Sequence, residues 1–200
     1  MLIDMVNLLA KLKSKRRWMQ FSLRTGLIAV TALCVTLSVW VVPAERQRRA
    51  VAAIRELGGD PSYEPYQARS EAFPVAFLRD WLPPDYFDQI YHVSLDNTQI
   101  TDAGLSYVRW LPGLQGLTLR NTQINDAGLA HLQALTQLRW LNLKHTRVTD
   151  AGLAHLQGLT DLQALYLNDT KVTDAESPHL QGLTGLEELF LDNTKLTDAG

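Results

Sequence analysis

One block of sequence recurs at a fixed interval through the second half of this chain. TDAGL begins at Thr101, NDAGL at Asn125, TDAGL at Thr149, TDAES at Thr173, and TDAG at Thr197, each start 24 residues after the last. A constant period in the range of 20 to 50 residues is the signature of stacked structural repeats, in which each unit buries its apolar face against its neighbours. This constraint is stronger than any local propensity, because it fixes which residues must occupy equivalent places.

Between the blocks lie five matching segments with period-2 alternation: Val93-Ser94-Leu95, Leu117-Thr118-Leu119, Leu141-Asn142-Leu143, Leu165-Tyr166-Leu167 and Leu189-Phe190-Leu191. Alternation of this kind predicts short half-buried strands with the outer two residues pointing inward. Three residues before each first inward residue stands Ile90, Leu114, Leu138, Leu162 or Leu186, and a threonine follows each strand at Thr98, Thr122, Thr146, Thr170 and Thr194. The spacing then becomes helical, at Leu153, Leu156 and Leu159, with Thr149 or Asp150 placed to cap the turn. The threonine column is expected to be structural, its hydroxyls bonding backbone of the turn.

The resulting pattern, LxxLxLxxTxITDAGLxxLxxL, resembles the leucine-rich repeat family over roughly residues 90–200. It is most similar to the cysteine-containing subtype found behind F-boxes, which carries ITDxGL after the strand, and to bacterial membrane-anchored proteins of the family. Threonine stands here where many such repeats have Asn or Cys. The resemblance implies an α/β solenoid, with parallel strands on a concave face and short helices or turns on the convex side. It also implies a non-enzymatic protein-interaction module. An adaptor that selects substrates for a ubiquitin-ligase-like system is an alternative, although no F-box-like domain precedes the array; a structural role in the cell envelope is another.

The N-terminal part differs in kind. Residues 1–42 hold six of the 19 basic residues and, of the 21 acidic ones, only Asp4. The remainder is net acidic, which argues against non-specific nucleic-acid binding, since that needs a basic face for phosphates. Gly26 to Val42 is free of charge, with Trp18, Phe21 and Trp40 near its ends. Extended back to residue 23, it approaches the ~20 residues that cross a bilayer, and rings of this kind favour the headgroup level. The expected organisation is therefore a basic cytoplasmic segment (1–22), a transmembrane helix (23–42), a juxtamembrane helix and linker (43–76), and a cap with about five repeats (77–200). The lysine and arginine bias places the N-terminus in the cytoplasm and exports the repeats. Cleavage of 23–42 as a signal peptide, giving a secreted protein, is the alternative. Cys34 is the sole cysteine, so no internal disulfide forms.

Within 43–76, Ala50, Val51, Ile54 and Leu57 share one helical face, and Gly58-Gly59 ends the helix. Its arginines read either as a membrane or partner contact or as a solvated face. A second helix, with Phe77, Leu78 and Trp81 as its apolar face, is expected to cap the first coil. At the other end the fourth block is damaged. Ser177 stands at a core leucine position and Pro178 enters the turn, so the last coil is expected to fray, or the chain to be a fragment of a longer array.

The sequence contains no phosphate loop, metalloprotease or redox motif, and no cofactor or metal is expected. His131, His155 and His179 recur at one position, as do Asp102, Asp126, Asp150, Asp174 and Asp198. Consensus repetition accounts for the histidines and helix capping for the carboxylates. Asn168-Asp169-Thr170 matches a glycosylation sequon. The remaining candidates lie on the concave face, in three columns. The first is His92, Gly116, Trp140, Ala164 and Glu188; the second is Ser94, Thr118, Asn142, Tyr166 and Phe190; the third is Asp96, Arg120, Lys144, Asn168 and Asp192. Trp140, Tyr166 and Phe190 are expected to form one aromatic patch rimmed by Arg120 and Lys144, which is the side-chain chemistry of binding hot spots. The expected partner is a protein or an envelope polymer.

Overall fold

A computed structural model describes residues 27–28, 30–31, 34–35, 42–63, 90–174 and 177–195. The chain divides into two compact units, Met1–Pro43 and Ala44–Gly200. In the first, the described residues are helical and exposed, including Leu27, Ile28, Val30 and Val35. Among the described residues no helix is long and apolar enough to cross a membrane. Most of the span expected at 23–42, the segment 1–22 and the helix expected around Phe77, Leu78 and Trp81 lie outside the described residues.

The second unit opens with α1 (Val42–Glu56), followed by β1 (Asp60–Tyr63). Pro43 sits at the start of α1 and does not end a helix there; a proline is tolerated in the first turn because its missing N–H would be unpaired in any case. Gly58 takes φ +83° and closes the helix, as a glycine does without a Cβ penalty. The face read from the sequence is the buried one. Ala50, Val51 and Ile54 join the same core as the repeat leucines, with Leu57 partly buried against it.

Five further strands follow: β2 (Ile90–Ser94), β3 (Gly116–Thr118), β4 (Trp140–Asn142), β5 (Ala164–Tyr166) and β6 (Glu188–Phe190). They form one sheet in sequence order, β1 antiparallel to β2 and all later pairs parallel. Each parallel pair is offset by one repeat, as in Leu117↔Leu141 and Leu141↔Leu165. The first coil is thus covered by α1 and by β1. Pro61 faces Val93, at the outer strand of the sheet, where a residue without an N–H costs no ladder bond on the solvent side. Arg46 stacks over the Trp110 ring at 4.7 Å and Arg55 donates to the Tyr63 hydroxyl at 2.6 Å. These arginines hold the cap, while Arg49 pairs with Glu45 along the helix.

Each coil turns sharply after its strand. Asn97, Asn121, His145, Asp169 and Asn193 all adopt positive φ, between 54° and 59°. Asparagine and aspartate tolerate this left-handed conformation better than most residues. The following threonine donates its hydroxyl back to its own strand: Thr122 to the Leu119 carbonyl, Thr146 to Leu143 and Thr170 to Leu167, at 2.6–2.7 Å. Each of these three is only 6% exposed, so an unbonded hydroxyl there would be costly. The column is structural, as expected, but it ties each coil to itself and not to its neighbour.

The neighbours are joined by the TDAG block. Convex turns begin at α2 (Asp102–Leu105), α3 (Asp126–Leu129), α4 (Asp150–Leu153) and α5 (Ser177–Leu180). Asp102, Asp126 and Asp150 do not cap their own helices. Asp102 accepts from the Asn125 backbone N–H, and Asp126 accepts from both the N–H and the hydroxyl of Thr149 at 2.8 and 2.7 Å. Asp150 does the same to Thr173. The capping expectation is corrected accordingly: the cap residues are Thr101 and Asn125, which accept from Gly104 and Ala127. The aspartate is instead a clasp from one coil to the next. This explains the glycine of the block. A Cβ on Gly128 would lie 2.5 Å from Asp102 Oδ1, and one on Gly152 would lie 2.4 Å from Asp126 Oδ1. The carboxylate passes through the space that glycine leaves open.

The array is not uniform along its length. Leu117, Leu141 and Leu165 are fully buried, whereas Leu189 and Leu191 are only partly so. β6 is nevertheless hydrogen-bonded in register on β5. Pro178 occupies the first turn of α5, where it is tolerated.

Candidate binding face

The parallel register fixes the concave columns. His92, Gly116, Trp140, Ala164 and Glu188 stand side by side, as do Ser94, Thr118, Asn142, Tyr166 and Phe190. The third column follows the strands, where Asp96 Oδ1 accepts from the Arg120 N–H and Asn168 donates to Asp192.

Two of the three aromatic candidates meet. The Tyr166 and Phe190 rings stack with centroids 4.5 Å apart and planes 4° from parallel. In-register residues on adjacent strands are ~4.8 Å apart, so the two rings lie one behind the other along the solenoid axis and turn their edges to the concave space. Trp140 belongs to the neighbouring column. Its two in-register partners are the small residues Gly116 and Ala164, with the His92 ring leaning over Gly116 from the far side, and it stands 51% exposed. Phe190 is 38% exposed. Large exposed rings are unusual on a polar sheet face, and here two occur, with the half-buried Tyr166 on the strand between them.

The two rim cations differ. Lys144 Nζ lies 3.8 Å from Asp169 Oδ2, an acceptor it shares with His145 Nε2 at 3.4 Å. Arg120 is exposed and, among the described residues, has no carboxylate partner for its guanidinium. At the other end of the patch Glu187 and Glu188 are exposed and likewise without a basic partner among the described residues. The sequence reading placed Glu188 in the first concave column without giving it a role, and did not single out Glu187. The signal was available, because Glu188 and Arg120 lie in defined columns three coils apart.

Other recurring groups are occupied. Gln133 lies 2.9 Å from His155 Nδ1 and Gln157 3.2 Å from His179 Nδ1, so the histidine column is bonded into the coil before it. The sequon Asn168 is 7% exposed with its amide donated to Asp192, a poor acceptor for a glycan. A shallow polar trough of ≈ 420 Å³ runs along the turns over Thr98, Thr122 and Thr146. Its walls are amide pairs that bond each other, Asn121 to Asn97 and Gln123 to Gln99, each at 3.0 Å.

Residues 138–196, from the third coil to the fifth, match the family model described as leucine rich repeat. Over that stretch the chain is similar to the leucine-rich repeat family. One solved structure agrees on the fold, and a second shares sequence with this chain. The leucine-rich repeat ectodomain of the receptor kinase SOBIR1 from Arabidopsis thaliana is 18% identical, covering 76% of this chain and 82% of its own, with a TM-score of 0.50. Internalin C2 from Listeria monocytogenes is 30% identical with a TM-score of 0.40, the match covering 55% of this chain and 54% of that one. The chain thus spans about half the length of the internalin structure. No curated protein matches the sequence. Leucine-rich repeat domains are typically protein-interaction modules, and the concave sheet described above is the face on which this one carries its exposed rings.

Proposed function

We propose that this leucine-rich repeat protein is a non-enzymatic binding module that presents its concave face to a protein partner. The observation that carries the reading is the exposure of Trp140 and Phe190 beside the Tyr166–Phe190 stack, on consecutive strands of a rigid sheet. Aromatic rings that protrude from a preorganised surface lose little entropy on contact and dominate the energy of many interfaces. Lys144 and Arg120 supply the polar rim.

The module is tethered to a membrane through the uncharged run Gly26–Val42, with the N-terminus cytoplasmic and the repeats on the far side. Support comes from the charge bias of residues 1–42 and from the exposed apolar side chains of Leu27, Ile28, Val30 and Val35. In this respect the chain is of the kind seen in bacterial membrane-anchored leucine-rich repeat proteins, and its ITDAGL blocks place it beside the cysteine-containing subtype.

The test combines binding and topology. Replacing Trp140, Tyr166 and Phe190 together with Ala should abolish crosslinking to the partner while circular dichroism stays unchanged. Undiminished crosslinking would remove the site assignment. Protease added to intact cells should degrade the repeats; their protection would place them on the cytoplasmic side and overturn the topology.

A further inference from the structure

The concave face is electrically polarised along the solenoid axis. Arg120, on the second coil, is exposed and without a carboxylate partner among the described residues; Glu187 and Glu188, on the fifth, are exposed and without a basic one. Tyr166 lies near the line between them, and Phe190 shares the fifth coil with Glu188. Three coils at ~4.8 Å give about 14 Å along the axis, and the two columns are offset along the strands by about 13 Å at ~3.3 Å per residue, so the diagonal of about 20 Å takes about six residues of extended chain.

The rings restrict what can lie between. The Tyr166–Phe190 stack offers edges, which carry the positive part of the aromatic quadrupole. Edges suit carbonyl oxygens and the faces of other aromatic side chains.

We propose that the face takes an extended peptide lying diagonally across the coils, with an acidic residue at Arg120, a basic residue about six positions away at Glu188, and an aromatic or aliphatic residue between them over the Tyr166–Phe190 stack. The proposal rests on the concave-face reading and adds the class, spacing and charge order of the ligand. Unsatisfied charges of opposite sign at the two ends select a zwitterionic segment and disfavour a uniformly acidic or basic one.

The experiment is a selection from a display library of random 12-residue peptides on the full-length protein, followed by affinity measurements with one recovered synthetic peptide. Recovered sequences should share an acid and a base about six positions apart with an apolar residue between. Arg120→Glu should weaken the peptide about tenfold, and changing the peptide's acid to Lys should restore binding to that variant. Peptides that lose binding with Phe190→Ala but show no charge pairing would overturn this proposal and leave the concave-face reading standing. Peptides indifferent to both Trp140→Ala and Phe190→Ala would overturn that reading as well. Recovery of no peptide would reject the ligand class. All three side chains are exposed, and thermal unfolding of each variant confirms that the fold is retained.

Discussion

The third and fifth coils are built from nearly the same sequence and are packed differently. In the third, Leu141 and Leu143 are completely buried and Asp126 clasps Thr149 through two hydrogen bonds beside Gly152. In the fifth, Leu189 and Leu191 are partly buried, and the block before them reads TDAES, with Glu176 at the glycine position and Ser177 at the leucine position. The comparison separates two requirements that the repeat pattern merges. A strand needs only in-register neighbours to form, and β6 has one in β5. A sealed core also needs apolar side chains from the convex side, and the fourth block has Ser177 in the sequence position of Leu153, although Asp150 still clasps Thr173 through two hydrogen bonds.

The strongest test of this contrast is a pair of truncations. Leu141→Ala should cost ~2–5 kcal/mol in urea unfolding, the usual range for emptying a tight core site, and Leu189→Ala clearly less. Equal losses would mean that the two coils are packed alike after all. Next comes the clasp. Asp126→Ala leaves the Thr149 N–H and hydroxyl without their acceptor and should cost ~1.5–3 kcal/mol, the range for hydrogen bonds to a charged group. Gly152→Ala, which sets a Cβ against the Asp126 carboxylate, should cost a comparable ~1–3 kcal/mol. If the alanine is neutral, the interlock of aspartate and glycine is not what selects the block.

Repairing the weak copy should act in the opposite direction. Glu176→Gly combined with Ser177→Leu should raise stability by ~1–2 kcal/mol and slow amide exchange in β6 towards that of β4. No gain would show that the fourth block is limited by something other than these two positions. The smallest effect on stability, within ~0.5 kcal/mol, is expected for Trp140→Ala, since the indole is half exposed between Gly116 and Ala164. A large loss would recast Trp140 as scaffold and weaken its place in the binding face.

Much of this organisation was legible before any coordinates. The 24-residue period gave the strand register, because equivalent residues of stacked coils must pair. Parity along each strand then separated Leu117, Leu141 and Leu165, which are buried, from Thr118, Asn142 and Tyr166, which face out. The buried face of α1 followed from helical spacing. The left-handed turns were less visible. Asn97, Asn121 and Asn193 hint at them, but His145 and Asp169 fill the same role and break the pattern.

The candidate site was legible by column and not by contact. Alternation assigned Trp140, Tyr166 and Phe190 to one face, and the structure brings Tyr166 and Phe190 into a stack while leaving Trp140 in the adjoining column. Lys144 was read as a rim cation, but it has Asp169 as a neighbour one coil on. Amphipathic spacing shows that a helix has an apolar face and leaves open what will cover it, so α1 read as a linker element although Ala50, Val51 and Ile54 join the core of the first coil.

By itself, then, the sequence determined the period, the parity of the five repeat strands and the class of the fold, because these depend on spacing along the chain. The tertiary structure decided where the aspartates reach, why glycine must follow them, which element closes the array, and which exposed charges lack a partner. Each of those depends on groups 23 or 24 residues apart, or more, meeting through space. Repetition along the chain shows that such groups are equivalent, but only the stacking of the coils decides which of them touch.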